Sequence, residues 1–201
     1  MVVAFLFVKI SSYVTDILVE GEIVKKEEHN LYCYCLEGLF EMVGNLFLTI
    51  FLGILFGKLI DTLIFLFIFI SIRTLAGGYH AKDGNMCFVI SILLFFAVIM
   101  SAQYFQSFFQ GEWSVRSYIV SSFCIFLLAP VDCKNKRLDK VKKKRLKIWT
   151  LIFLILISLL YFCMLWVLKW QYCIVISNCM FVIVVLLVMG YLENLKEENF
   201  L

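Results

Sequence analysis

Residues Arg73 to Cys87 read RTLAGGYHAKDGNMC, a polar, glycine-rich break between the apolar runs Thr62 to Ile72 and Met86 to Tyr104. Apolar runs interrupted by such short breaks describe a helical membrane chain, and this break reads as the turn between two spans. It is set apart by carrying both a histidine, His80, and a cysteine, Cys87. A cysteine nucleophile needs a base and surroundings that favour the thiolate. Gly77, Gly78 and Gly84 allow the tight or left-handed backbone of a helix-to-helix turn. Asn85 reads as a helix N-cap. Cys87 then lies in the first turn of the next helix, where the helix dipole favours an anion.

The spacing imposes a geometric condition. On one unbroken helix, positions 80 and 87 share a face but are separated by about 10.5 Å of rise. A direct hydrogen bond needs about 3 Å, so the pair can cooperate only if the chain folds back between them. The three glycines make that fold-back accessible. Asp83 is the nearest carboxylate in sequence, but closeness along the chain does not make it a third member of a triad.

Composition sets the class. The chain of 201 residues is 63% hydrophobic with one proline, and its mean hydropathy is +0.97. These values are too apolar for a soluble domain and predict an all-α, polytopic membrane protein. Eight cysteines are scattered at positions 33, 35, 87, 124, 133, 163, 173 and 179. That scatter reads as small packing residues in a reducing setting rather than a disulfide framework.

Taken in order, 1–30 forms an amphipathic N-terminal segment. Ile10, Val14, Ile17 and Leu18 recur at helical spacing, with Ser11, Asp16 and Glu20 elsewhere on the wheel, which describes a helix lying at the interface. The opening apolar run lacks the basic flank and cleavage site of a signal peptide. Met42 to Gly57 makes a first span if Leu39 to Glu41 extend it, and Lys58 and Asp61 mark a tight turn. Thr62 to Ile72 is only eleven residues long. To cross, it must borrow Leu59 to Asp61 and Arg73 to Ala76; otherwise it re-enters. Met86 to Tyr104 is a third span, Gln106 to Ser114 a polar connection, and Val115 to Val131 a fourth span ended by Pro130. Ile148 to Leu168 and Tyr172 to Leu192 bring the total to about six transmembrane helices in a single membrane-embedded domain over 1–201. Glu41, Asp61, Arg73 and Arg116 all fall close to the expected span ends, which gives little support to an ion path through the membrane.

Between them, 132–147 is a basic loop with nine Lys or Arg and two Asp, against a net charge of +3 for the whole chain. The rest of the chain is therefore net negative. By the excess of basic residues this loop is cytoplasmic, as are both termini and the turn carrying His80 and Cys87, and only Lys58, Arg116 and Lys169 face out. The simplest role for the loop is a membrane-face anchor on anionic lipid, with attraction of a substrate as a second role.

Plainer readings stand beside the chemical one. A histidine next to a helix start is often solvated, and a cysteine at the top of an apolar helix is often packing. On these terms the chain is a non-enzymatic small membrane transporter or partner subunit. His29, Cys33 and Cys35 have no fourth ligand and match no usual zinc spacing. No metal, cofactor or nucleic-acid partner is expected.

The string Arg73-x3-Gly-Gly-Tyr-His80-Ala-x5-Cys87, followed by Ala129-Pro130-Val131-Asp132 and Lys134-Asn135-Lys136, resembles the accessory gene regulator protein B family of bacterial quorum-sensing systems. The likeness runs from the Tyr34-Cys35-Leu36-Glu37 stretch to the last hairpin, with Cys35 where the family often has glycine. The resemblance implies a multi-pass bacterial membrane cysteine endopeptidase with Cys87 as nucleophile, His80 as base, and Arg73 and Gly78 as supporting or substrate-contacting positions. It implies cleavage of a short propeptide, closure of a thiolactone or lactone through an acyl-enzyme, and a homodimer in contact with membrane lipids.

Overall fold

The computed structural model describes residues 2–79, 84–108, 112–131, 139–167 and 170–198. Among these there are seven α-helices: α1 (Val2–Glu20), α2 (His29–Leu55), α3 (Leu59–Ala76), α4 (Gly84–Phe108), α5 (Glu112–Leu128), α6 (Lys140–Trp166) and α7 (Trp170–Glu198). A single 3-10 turn, Lys26–Glu28, leads into α2. The protein is all-α and polytopic. Five helices are long and apolar enough to cross a membrane: α2, α3, α4, α6 and α7. The remaining expected span is α5, which at 17 residues is at the lower limit of crossing length.

Several boundaries differ from the sequence expectation. The first span starts at His29 rather than Leu39, because Glu37 and Glu41 are good helix formers and do not interrupt the backbone ladder. Glu41 therefore lies within the helix. The second run does take in Leu59 to Asp61 and Arg73 to Ala76, which brings α3 to 18 residues. Helices α4 and α5 consume most of the expected Gln106 to Ser114 connection. α5 stops at Leu128, two residues before Pro130, since the residue preceding a proline is steered out of the helical region. The basic stretch is not a loop throughout: from Lys140 on it is the first turns of α6. Its earlier part, 132–138, lies outside the described residues.

The chain divides into two compact units. The first comprises Met1–Leu52 and Ala81–Leu93. Here α1 buries Ser11 and Thr15, while Ile10, Tyr13 and Ile17 stay exposed. Each buried hydroxyl donates back to its own helix, Ser11 to the Val8 carbonyl at 2.9 Å and Thr15 to the Ser11 carbonyl at 2.7 Å. The stripe is thus small and satisfied, and a neighbouring helix can approach closely. Ser11 Oγ lies 3.6 Å from Cys33 Sγ, and His29 Nε2 is 2.8 Å from Asp16 Oδ1. Two residues of the rejected zinc reading therefore hold partners within this unit.

The second unit comprises Gly53–His80 and Leu94–Leu201. α7 is its axis and packs against α3, α5 and α6. Its inward face, Cys173, Val175, Ile176, Cys179, Met180, Ile183 and Leu187, is fully or almost fully buried. Polar side chains join the helices: Ser114 Oγ meets Tyr161 Oη at 2.9 Å and Ser177 Oγ at 3.3 Å, Tyr118 Oη meets Ser158 Oγ at 2.8 Å, and Asn178 Nδ2 donates to Ser101 Oγ at 2.9 Å. The rings of Tyr118 and Tyr161 stack with centroids 4.0 Å apart. In an apolar solvent such bonds specify which helix faces meet, although each adds only about 0.6 kcal/mol.

Candidate functional site

At the end of α3 the chain turns through two glycines in conformations that other residues rarely adopt, Gly77 at φ 71° and Gly78 at φ 101°. Arg73 reaches past the end of its own helix and donates from Nη1 to the Gly77 carbonyl at 2.7 Å. A cation there also suits the negative end of the helix dipole.

Two distant segments hold the same corner. Val131 N–H donates to the Ala76 carbonyl at 2.9 Å, and Val131 pairs with Gly77 in a single parallel bridge. Tyr79 N–H donates to the Leu186 carbonyl of α7 at 2.9 Å. The Leu186 carbonyl can be reached because the residue one turn on, Gly190, has no side chain to block the approach. A Cβ at Gly190 would stand 2.6 Å from Tyr79 N and 2.7 Å from the Gly78 carbonyl carbon. A Cβ at Gly78 would meet Arg73 Nη1 at 2.8 Å and the Leu186 oxygen at 3.0 Å, and one at Gly77 would strike the Val131 oxygen. Three glycines and the backbones of Tyr79, Val131 and Leu186 thus fit together at distances that leave no room for a Cβ.

The tie to Val131 has its own support. Lys147 of α6 donates to the carbonyls of Phe126 at 2.5 Å and Ala129 at 2.8 Å, which takes up acceptors at the end of α5. Sequence reasoning counts Lys147 with the exposed basic loop and passes over Gly190 altogether. The visible signal for Gly190 is a lone glycine inside an otherwise apolar helical run.

Of the four site residues, Arg73 and Gly78 meet in this corner. His80 follows it directly but lies outside the described residues, as does Asp83, so the distance between His80 and Cys87 is not part of the described geometry. Cys87 belongs to the other unit. It is the fourth residue of α4 and half-buried, which matches its expected place in the first turn. The helix already includes Asn85, so the N-cap falls earlier in the chain than position 85. The Cys87 carbonyl accepts from Ser91 Oγ at 2.9 Å, and the thiol is free. Among the described residues no cluster of three or more His, Cys, Asp or Glu could hold a metal ion.

The family model of accessory gene regulator B matches residues 11–191. AgrB-like protein 2 of Clostridium perfringens strain 13 is 27% identical over 127 residues, 59% of this chain and 58% of that protein. A second AgrB-like protein, from Clostridium perfringens strain SM101, is 28% identical over 89 residues, 40% of each chain. The chain thus spans less than two thirds of the length of these curated relatives. No solved structure matches it significantly. A match running from α1 to the last turns of α7 takes in the corner, Cys87 and both units, and on that extent the chain belongs to the accessory gene regulator B family.

Proposed function

We propose that the protein is a membrane-embedded cysteine endopeptidase that processes a quorum-sensing propeptide on the cytoplasmic side of the bacterial membrane. The observation that carries this reading is the corner at Gly77 to Tyr79. It fixes the backbone immediately before His80 through Arg73, Val131 and Leu186, within the span matched by the family. A general base must be held within a narrow range of orientation, and such over-determined backbone is typical of what supplies it.

In this mechanism His80 takes the proton from the Cys87 thiol. The sulfur attacks a peptide carbonyl of the precursor, and the amide C–N bond breaks. The leaving amine collects the proton from His80, which releases the C-terminal fragment and leaves a thioester on Cys87. A thiol or hydroxyl within the bound peptide then gives its proton to His80 and attacks the thioester carbonyl; the bond to the Cys87 sulfur breaks, a thiolactone or lactone closes, and His80 returns the proton to the Cys87 thiolate. Backbone N–H groups at the start of α4 are suited to holding the oxyanion. Exclusion of water favours ring closure over hydrolysis. Arg73 and Gly78 support the geometry of the base, and a homodimer is the assembly we assign to the active form.

The direct test is to trap the acyl-enzyme. Full-length protein is incubated with a propeptide whose internal thiol and hydroxyl nucleophiles are replaced by alanine. It should accumulate a hydroxylamine-labile adduct on Cys87, with the mass of the N-terminal fragment, and His80→Ala should form it about 10² to 10⁴ times more slowly. An adduct on another cysteine, or cleavage with no adduct in Cys87→Ala, would refute the assignment.

A further inference from the structure

The first turns of α6, the end of α5 and the last turns of α7 enclose an open groove of about 780 Å³. This is well within the size range of small-ligand sites. Its charged lining among the described residues is entirely cationic: Lys140, Lys143, Lys144 and Lys147. These stand at i, i+3, i+4 and i+7 and so share one face of the helix. The opposing walls are largely aliphatic, with Leu127, Val131 and Leu195, and also carry Tyr191 and Asn194.

The direction in which the charge gives way to apolar surface identifies the ligand. Positions 140, 144, 148, 151, 155 and 159 form one row along α6, within about 100° of one another around its axis. Lys140 and Lys144 are exposed, and below them Ile148, Ile155 and Leu159 are exposed to 50%, 61% and 65%, with Leu151 half-buried between them. Lys140, Lys144 and Ile148 line the groove itself. The row therefore offers cations at the mouth of a membrane-crossing helix and an uninterrupted aliphatic track beneath them. A molecule that fits both has a phosphate at one end and acyl chains at the other.

We propose that this groove binds the headgroup of an anionic phospholipid, phosphatidylglycerol being the simplest member of that class, with its acyl chains along the Ile148 to Leu159 track. Basic pockets beside membrane helices attract such headgroups, and two lysines at the surface account for an affinity preference of at least tenfold over a zwitterionic lipid. The site also abuts the corner, because Val131 is at once a groove wall and the partner of Ala76 and Gly77. The inference does not depend on the peptidase assignment.

The test uses full-length protein in non-ionic detergent, titrated with short-chain phosphatidylglycerol or phosphatidylcholine of equal chain length and followed by native mass spectrometry. One phosphatidylglycerol should bind at a Kd at least tenfold below that of phosphatidylcholine. Lys140→Gln with Lys144→Gln should abolish the preference. Lys142→Gln with Arg145→Gln removes the same charge from the same helix outside the groove, and should change it less than about threefold. Equal losses in the two double variants would mean diffuse attraction and would overturn the site. Displacement of bound lipid by inorganic phosphate, or by an Asp- and Glu-rich peptide at lower concentration than by phosphatidylglycerol, would assign the groove to a free anion or an acidic peptide instead. Should the first double variant fail to fold, amine acylation of the unaltered protein decides: phosphatidylglycerol must slow modification of Lys140 and Lys144 more than that of Lys142, and uniform protection refutes the proposal.

Discussion

Gly77 to Tyr79 is held by Arg73 of the preceding helix and by two distant segments through Val131 and Leu186, whereas the described bond at Cys87 comes from Ser91, one turn further along the same helix. The difference follows from what each part has to do. A residue leaving a helix through two left-handed glycines has no ladder to hold it, so its position must come from elsewhere in the fold. A residue in the first turn of a 25-residue helix inherits its position from the helix itself. One part of the candidate site is rigid by tertiary contact and the other by secondary structure, and substitutions should separate them.

The largest effect is expected at the proposed nucleophile. Cys87→Ala should abolish propeptide cleavage while membrane insertion stays intact. Cys163→Ala, at an exposed thiol, should retain full cleavage, both read from the products of co-expression. Retained activity in Cys87→Ala would remove one side of the comparison.

Next is the corner, reached without touching any reactive group. Gly190→Ala introduces a methyl where Gly78 and Tyr79 already stand, and a displacement of about 1 Å before the proposed base should lower the cleavage rate about 10²-fold. Gly38→Ala is the matched control, since nothing lies within 4 Å of its added Cβ. It should leave cleavage unchanged and stabilise α2 by about 0.5–1 kcal/mol. Equal behaviour of the two variants would show that the corner tolerates movement.

Arg73→Lys sharpens the distinction between charge and reach. Lysine keeps the cation but not the planar fork that meets the Gly77 carbonyl, so a loss of about tenfold in cleavage rate is expected, the equivalent of one charge-assisted hydrogen bond. An unchanged rate would assign Arg73 to charge alone.

The smallest effect lies in the polar interior of the second unit. Tyr118→Phe removes the bond to Ser158, but Ser158 Oγ keeps its bond to the Leu154 carbonyl at 2.8 Å, so no buried group is orphaned. Thermal unfolding in detergent should show a loss of about 0.6–1 kcal/mol, with cleavage unaffected. A large loss of activity would mean that the site depends on helix packing well beyond the corner.

What was legible in the sequence was whatever depends on local pattern. The apolar runs gave the helices, the eleven-residue run from Thr62 had to be extended at both ends and is, and the Gly-Gly-Tyr-His-Ala-x5-Cys string gave the family. Whatever depends on contacts between distant segments stayed hidden. Gly190 is silent as a letter within an apolar run, and its meaning lies in Tyr79, more than a hundred positions away. Lys147 looks like one basic residue among nine until α5 is seen to end against it. On α1 the apolar residues give the stronger pattern, yet it is Ser11 and Thr15 that are buried, because small hydroxyl residues let helices approach and hydropathy does not register that.

The bond between Tyr79 and Leu186 also constrains how the gene can change length. α7 is keyed at two levels, by Cys179 Sγ against the Phe65 carbonyl at 3.9 Å and by Gly190 against Gly78. Deleting one residue between those levels would turn Gly190 by about 100° relative to Cys179 and bring a side chain round to face Tyr79. Only changes that preserve the whole phase of the helix would escape this. Within the last helix, the interval from Cys179 to Gly190 should therefore be the stretch least tolerant of insertions and deletions, even though none of its residues carries chemistry.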